Sequence, residues 1–360
     1  MALDLRKLLV DVFDPQPGET VTVMVDLPHG EVEDDPEWQQ RRRMAERWRE
    51  ELARLGAERG FTVRPMLTYP ATGANNADRP AGGWLEGEEV ELLPLLESST
   101  LVIAMTQFSA TAPLAAIAER HEDFRAASMP GVSRRMEETA LAADYAEVAR
   151  RCQAIAEAME GAELVDVEFS TGHRCWFDLR FRRPEVDDGF LPRFKEGDRI
   201  INLPSGETFE VPYEGEREGV PSWTAGTIPL VEEGETVAFH VAGNRIRRVE
   251  GDGPVAARYR RLFEEDPARA NVAEVAFGVN DHAVVTGNVL EDEKAGFHWA
   301  FGRSEHLGGV TGPEAFRSPA TVVHQDIVYA RGNPVQVRRA ALVAPDGATT
   351  DVIRDGEYVL

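Results

Sequence analysis

Val21-Thr-Val-Met-Val-Asp-Leu27 is a short apolar run of strand type, and the segments after it decide the fold. Residues Glu37 to Arg59 carry Trp38, Met44, Trp48, Leu52 and Leu55 at helical spacing within a charged segment. Phe61–Leu67 reads as a second strand, Glu88–Leu96 as an acidic helix and Thr100–Met105 as a third strand. An alanine-rich helix at Thr111–Glu119 and a short strand at Phe124–Met129 follow. Alternation of this kind implies a parallel sheet with helices on its faces. A helix from about Ala140 to Met159 leads out of this region.

After Gly161 the pattern changes. Strands are expected at Glu163–Ser170, Cys175–Phe181, Thr236–Val241, Asn271–Val279, Phe297–Gly302, Ala320–Ala330 and Arg338–Val343, with turns such as Pro345-Asp-Gly347 between them. The fold class is therefore α/β. A parallel-sheet α/β domain over residues 1–160 precedes a β-rich α+β catalytic domain over 161–360. The loop-rich piece from Arg183 to Tyr213 is too long for an idle connection and is expected to have a function.

Composition narrows the function classes. An apolar fraction of 42% and an aromatic fraction of 8% suit a globular protein. No apolar run approaches the roughly 20 residues of a spanning helix. The N-terminus turns acidic and proline-bearing too early for a signal-peptide core, so the chain reads as cytoplasmic. A formal net charge of -24 repels phosphate backbones and anionic membranes, which argues against nucleic-acid and membrane partners. Cys152 and Cys175 form no CxxC pair and read as buried, inert thiols.

The C-terminal half contains an internal echo. Glu274-Val-Ala-Phe-Gly278 and His298-Trp-Ala-Phe-Gly302 share one pattern. On a strand, residues i, i+2 and i+4 face one side, so each copy sets a metal-competent residue beside an alanine and a glycine. Val275/Phe277 or Trp299/Phe301 pack the other side. Similar packing demands on two strands would also produce the echo. His324-Gln-Asp326 shares a face with Val322 and Val328, where an ionised Asp is costly unless paired or metal-bound. A metal would satisfy the pair, and so would an Asp–His hydrogen bond. Glu207 lies in Asn202-Leu-Pro-Ser-Gly-Glu207, a loop fixed by proline and glycine. Alone, it is no more than a solvated glutamate. Together, two histidines and three carboxylates suit zinc, manganese or cobalt. Three carboxylates exceed what one zinc needs and favour two ions bridged by a carboxylate and a water.

The order Asn202-Leu-Pro-Ser-Gly-Glu207, Ala273-Glu-Val-Ala-Phe-Gly278, Asp292-Glu-Lys-Ala-Gly-Phe-His298, Gly308-Gly309 and His324-Gln-Asp326 resembles the aminopeptidase T (thermophilic leucyl aminopeptidase) family of metallopeptidases. The likeness runs through most of the C-terminal half. It implies two metals held by two glutamates, two histidines, an aspartate and a tyrosine. Five of these map onto Glu207, Glu274, His298, His324 and Asp326. The tyrosine falls at Glu305, beside His306, and the His298–His324 stretch is short. Both departures fit a less characterised branch. The resemblance implies a homodimer that releases N-terminal residues from peptides or small amides through a metal-activated water. Glu207, with Glu305 behind it, would carry the proton to the leaving amine. Glu305 is equally readable as a solvated loop residue. Glu293 and Lys294 would orient ligands or sit on a surface turn.

A second chemistry is carried by relatives of similar fold. The 2,5-dihydroxypyridine dioxygenases hold one iron, and His298, His324 and Asp326 would supply a two-His-one-carboxylate set. Those enzymes have a histidine where Glu274 stands and lack the counterpart of Glu207, which favours the hydrolase. A metal-binding protein with non-peptidase activity and a metal-free binding or structural role are the remaining alternatives. HExxH, GxxxxGK[ST], GxSxG and GxGxxG are absent, and His29, His121, His173, His240 and His282 lack a partner pattern.

Overall fold

A computed structural model describes residues 3–195, 197 and 199–360. Met1 and Ala2 of the N-terminal segment, and Glu196 and Asp198 of the Arg183–Tyr213 segment, lie outside the described residues. The chain is α/β, with one parallel-containing sheet and further antiparallel ones. Its residues gather into two compact units. The first comprises Met1–Ala149, Asp187–Gly206 and Asn280–Lys294; the second comprises Arg150–Val186, Glu207–Val279 and Ala295–Leu360.

In the first unit Thr20–Leu27 is the central strand, with Leu101–Ala104 and Leu67–Pro70 parallel on either side. Arg125–Ser128 and Ile200–Asn202 extend the sheet in parallel. The helix Pro36–Arg59 forms as its spacing predicts. Asp35 caps it by accepting from the Trp38 amide, Pro36 occupies its first turn, and Gly60 ends it at φ 84°. Trp48, Leu52 and Leu55 bury against Val21, Val23 and Val25 on one sheet face. Leu114 and Ile117 of the helix Thr111–Ala118 bury against Met24, Val102 and Ala104 on the other.

Two local expectations are corrected. The second strand is split into Thr62–Val63 and Leu67–Pro70, because Pro65 between them has no amide to donate. Glu88–Glu91 is a strand rather than helix: it pairs antiparallel with Gly82–Leu85 across a turn whose central residues, Glu86 and Gly87, have φ 49° and 86°. The helix is confined to Leu92–Glu97.

The second unit is built of antiparallel strands. Eight form one sheet in the order Arg245–Glu250, Glu235–Ala242, Ala225–Glu232, Arg174–Asp178, Leu164–Phe169, Val337–Val343, Thr349–Arg354, Glu357–Tyr358. Ala225–Glu232 and Arg245–Glu250 are strands that the apolar pattern alone does not signal. A second sheet carries Glu207–Glu210, Val272–Gly278, Gly296–Gly302 and His324–Ala330, adjacent in that order and antiparallel. Phe297, Trp299 and Phe301 line one face of it. Their ring centroids lie 6.2 Å from Phe177, 5.6 Å from Phe239 and 5.2 Å from Phe263. This aromatic layer fills one side of the sheet and fixes which side chains face the other. Among the described residues no helix is long and apolar enough to cross a membrane.

Candidate metal centre

The echoed strands are neighbours, and their register explains the small residues. Directly opposite residues in an antiparallel pair share a face. Glu207 is opposite Gly278, and His298 is opposite Ala276. Glu274 and Asp326 flank Ala300 from its two sides, and His324 is opposite Gly302. Each chemistry-bearing side chain therefore stands beside a residue with little or no side chain. A bulge between Val272 and Glu274 sets the register there. Gly302 has φ +108°, and a Cβ on it would lie 2.1 Å from the Val323 carbonyl oxygen, so no other residue fits beside His324.

All five residues mapped in the sequence converge in the second unit. They form two trios, Glu207–Glu274–His298 and Glu274–His324–Asp326, whose ligand atoms lie within 4.8 Å of one another in each. Glu274 belongs to both. Its Oε1 is 3.6 Å from His298 Nε2, and its Oε2 is 3.0 Å from His324 Nε2. Glu207 Oε2 is 3.4 Å from His298 Nε2, and Asp326 Oδ1 is 3.5 Å from His324 Nε2. Glu207, expected in a loop, opens the strand Glu207–Glu210 and is buried. His298 is 1% exposed and the His324 side chain 20%, so the first trio is the inner one.

The arrangement fits a divalent cation. Ligand atoms at about 2.0–2.1 Å from a tetrahedral zinc are about 3.3 Å apart. Three of the four carboxylate–imidazole separations match this edge better than a hydrogen bond. His298 Nε2 is buried and makes no hydrogen bond among the described residues. Both rings are oriented through their other nitrogen: His298 Nδ1 donates to the Gly296 carbonyl at 3.2 Å and His324 Nδ1 to the Arg303 carbonyl at 2.7 Å. That pattern, a backbone carbonyl fixing one ring nitrogen so that the other faces inward, is usual for metal-binding histidines.

The electrostatics are those of a tightly packed charge cluster. Burial would push the His298 imidazole down, but the carboxylates of Glu274, Glu207 and Asp326 outweigh it and hold it up at about 9. Burial opposes charge on His324 as well, and Asp326 and Glu274 raise it well above its ordinary value. Glu274, despite burial, is held well below the usual carboxylate range by the two imidazoles. Protons on the rings thus balance carboxylates that a cation would otherwise neutralise.

Glu305 is not in either trio. It is exposed, and its carboxylate accepts from Arg303 Nη2 at 2.6 Å and Nε at 3.1 Å. The neighbouring His306 is the one that meets the centre, with its ring edge-on to His324 at a centroid distance of 5.0 Å. Lys294 is buried, not on a surface turn; its ammonium lies 2.7 Å from Glu293 and 3.3 Å from Asp187 within the first unit. The sequence gives no motif for Glu214, which holds the segment around His306. Nor does it mark Glu210, a buried carboxyl that burial pushes up to about 8. Cys152 and Cys175 are buried and unlinked.

The fold is similar to that of 2,5-dihydroxypyridine dioxygenase from Pseudomonas putida KT2440, with TM-score 0.64 and 16% identity over 99% of this chain and 96% of that one. It is also similar to that of AmpT from Thermus thermophilus, with TM-score 0.54 and 16% identity over 99% of this chain and 98% of that one. No protein-family model and no curated protein matches the chain. The relationship to both solved structures is a distant one of fold.

Proposed function

We propose that the chain is a metal-dependent hydrolase of aminopeptidase type, acting on the N-terminal residue of peptides or small amides. One observation carries the reading: Glu274 presents its two oxygens to two different histidines, each backed by a further carboxylate. A carboxylate so shared suits two divalent ions side by side, zinc, cobalt or manganese. Glu207, Glu274 and His298 would hold the inner ion, and Glu274, His324 and Asp326 the outer one. Such ions supply a water of lowered pKa and polarise a carbonyl. The chain's own part is then positional. The Gly296 and Arg303 carbonyls lock the two rings, Ala300 and Gly302 keep the face open, and Glu207 would be the carboxylate that passes a proton to the leaving amine through the oxygen it does not give to the ion.

The fold is shared with a dioxygenase as well, so a single-iron reading through His298, His324 and Asp326 is the competitor. Glu207 and Glu274 oppose it, because each adds a carboxylate that a two-His-one-carboxylate set does not use. The test is turnover by protein reloaded with zinc, cobalt or manganese. Cleavage of aminoacyl-anilides that is lost in Glu274→Gln supports the hydrolase. Oxygen uptake on a dihydroxypyridine by the iron-loaded protein, without anilide cleavage, overturns it.

A further inference from the structure

His306 lies outside the two trios, yet its surroundings hold it against them. It sits on the single-turn helix Glu305–Leu307, and its ring meets the ring of His324 edge-on at 5.0 Å and 86°. The residue is exposed, so core packing does not explain its place. The segment that carries it is nevertheless pinned. The carboxylate of Glu214, its side chain 5% exposed, accepts from Ser304 Oγ at 2.9 Å, from Thr311 Oγ1 at 2.6 Å, from Asn271 Nδ2 at 2.8 Å, from the Val310 amide and from Arg182 Nη2 at 3.5 Å. Asn271 in turn donates to the Gly302 carbonyl at 3.1 Å, tying the same clamp to the strand that carries His298. Gly308 turns at φ +90°, and a Cβ on Gly309 would lie 2.3 Å from Ser304 Oγ, so the loop closes tightly on the clamp. Glu305 meanwhile faces Arg303.

A carboxylate with five donors, four of them from the chain around this turn and its neighbouring strand, fixes the turn where a floating loop would otherwise be expected. What the turn presents is one imidazole beside the outer trio. That trio offers one nitrogen and two carboxylates, and an ion that also carries a water takes one more donor as a five-coordinate site. We infer that His306 is a further ligand of the outer cation, joining Glu274, His324 and Asp326 when the ion binds. An exposed ring reaches the trio by rotation about its own side-chain bonds, with the backbone held still by Glu214. This assignment rests on the two-ion reading of the centre.

The test uses the full chain, stripped with chelator and titrated with cobalt(II), following ion stoichiometry, dissociation constants and the visible ligand-field spectrum. Wild type, His306→Ala and Glu305→Ala are compared, with circular dichroism as the fold control. The expected result is that His306→Ala keeps the inner ion unchanged, binds the outer ion at least tenfold more weakly and loses its ligand-field bands, while Glu305→Ala behaves as wild type. Two ions bound by His306→Ala with wild-type affinity and spectrum would overturn the assignment and leave the two-ion reading standing. So would loss of the outer ion in Glu305→Ala alone. A wild-type chain that binds fewer than two ions would overturn both.

Discussion

Replacing Glu210 by glutamine should make the protein more stable at neutral pH. Glu210 is on the same strand as Glu207 but outside both trios, is 2% exposed, and its Oε1 accepts no hydrogen bond among the described residues. Burial pushes the carboxyl up from 4.5 to about 8; the Arg182 charge opposes the rise and Asp178 adds to it. A folded-state value above the unfolded one means that the folded protein keeps a proton the unfolded chain has released. The stabilising contribution is therefore fully present below about pH 4.5 and is lost as the pH rises through about 8. At one unit per roughly 1.4 kcal/mol, the carboxyl costs about 3 kcal/mol at pH 7 and about 5 kcal/mol at pH 9. Glu210→Gln keeps the shape and removes the ionisation. Its urea midpoint should exceed that of wild type by about 1 M at pH 7, by more at pH 9, and by nearly nothing at pH 4. A variant that is less stable than wild type at pH 7, or whose advantage does not grow with pH, would refute the reasoning.

Two further outcomes follow from other contacts. Gly302→Ala places a Cβ against the Val323 carbonyl at a positive φ, so it should lower stability by at least about 2 kcal/mol and shift His324; a variant with wild-type melting and metal binding contradicts this. Glu19→Gln leaves the buried Arg125 guanidinium without its carboxylate and should cost about 3 kcal/mol at pH 7. Burial would raise the Glu19 carboxyl, but Arg125 and the Gln16 amide hold it below 4.5. Its contribution is thus present above about pH 4.5 and fades as the pH falls, so the two urea midpoints should converge in acid; a constant gap would count against the pairing.

Period-two strand geometry marked Glu274, His298, His324 and Asp326 as candidates one strand at a time, and only the resemblance joined them with Glu207 into one candidate set. Glu274, His298, His324 and Asp326 alternate with small or apolar residues, and that alternation survives folding as one open face. Pairing was less legible. Nothing in Glu274–Gly278 or His298–Gly302 states that these strands are adjacent, although their likeness hints at it. The hairpins around Glu233–Gly234 and Gly243–Asn244 were available as turn signals, since all four residues adopt positive φ. Their strands were hidden because Arg245–Glu250 is mostly charged and Ala225–Glu232 holds a glycine and a proline. Glu86–Gly87 was masked in the same way by an acidic run that mimics a helix. The Arg183–Tyr213 segment contains strands at Ile200–Asn202 and Glu207–Glu210, each too short for periodicity to register. Glu214 and His306 escaped for a different reason: their roles come from contacts across the sequence, Glu214 with Asn271 and Thr311, and His306 with His324.

The most direct test of the two-ion centre is metal content. The full chain is stripped, reloaded with zinc and measured by elemental analysis beside Glu274→Ala. The account predicts two ions per wild-type chain, and at most one in the variant because both trios lose a shared ligand. One ion or none in wild type, or two ions retained without Glu274, would contradict it.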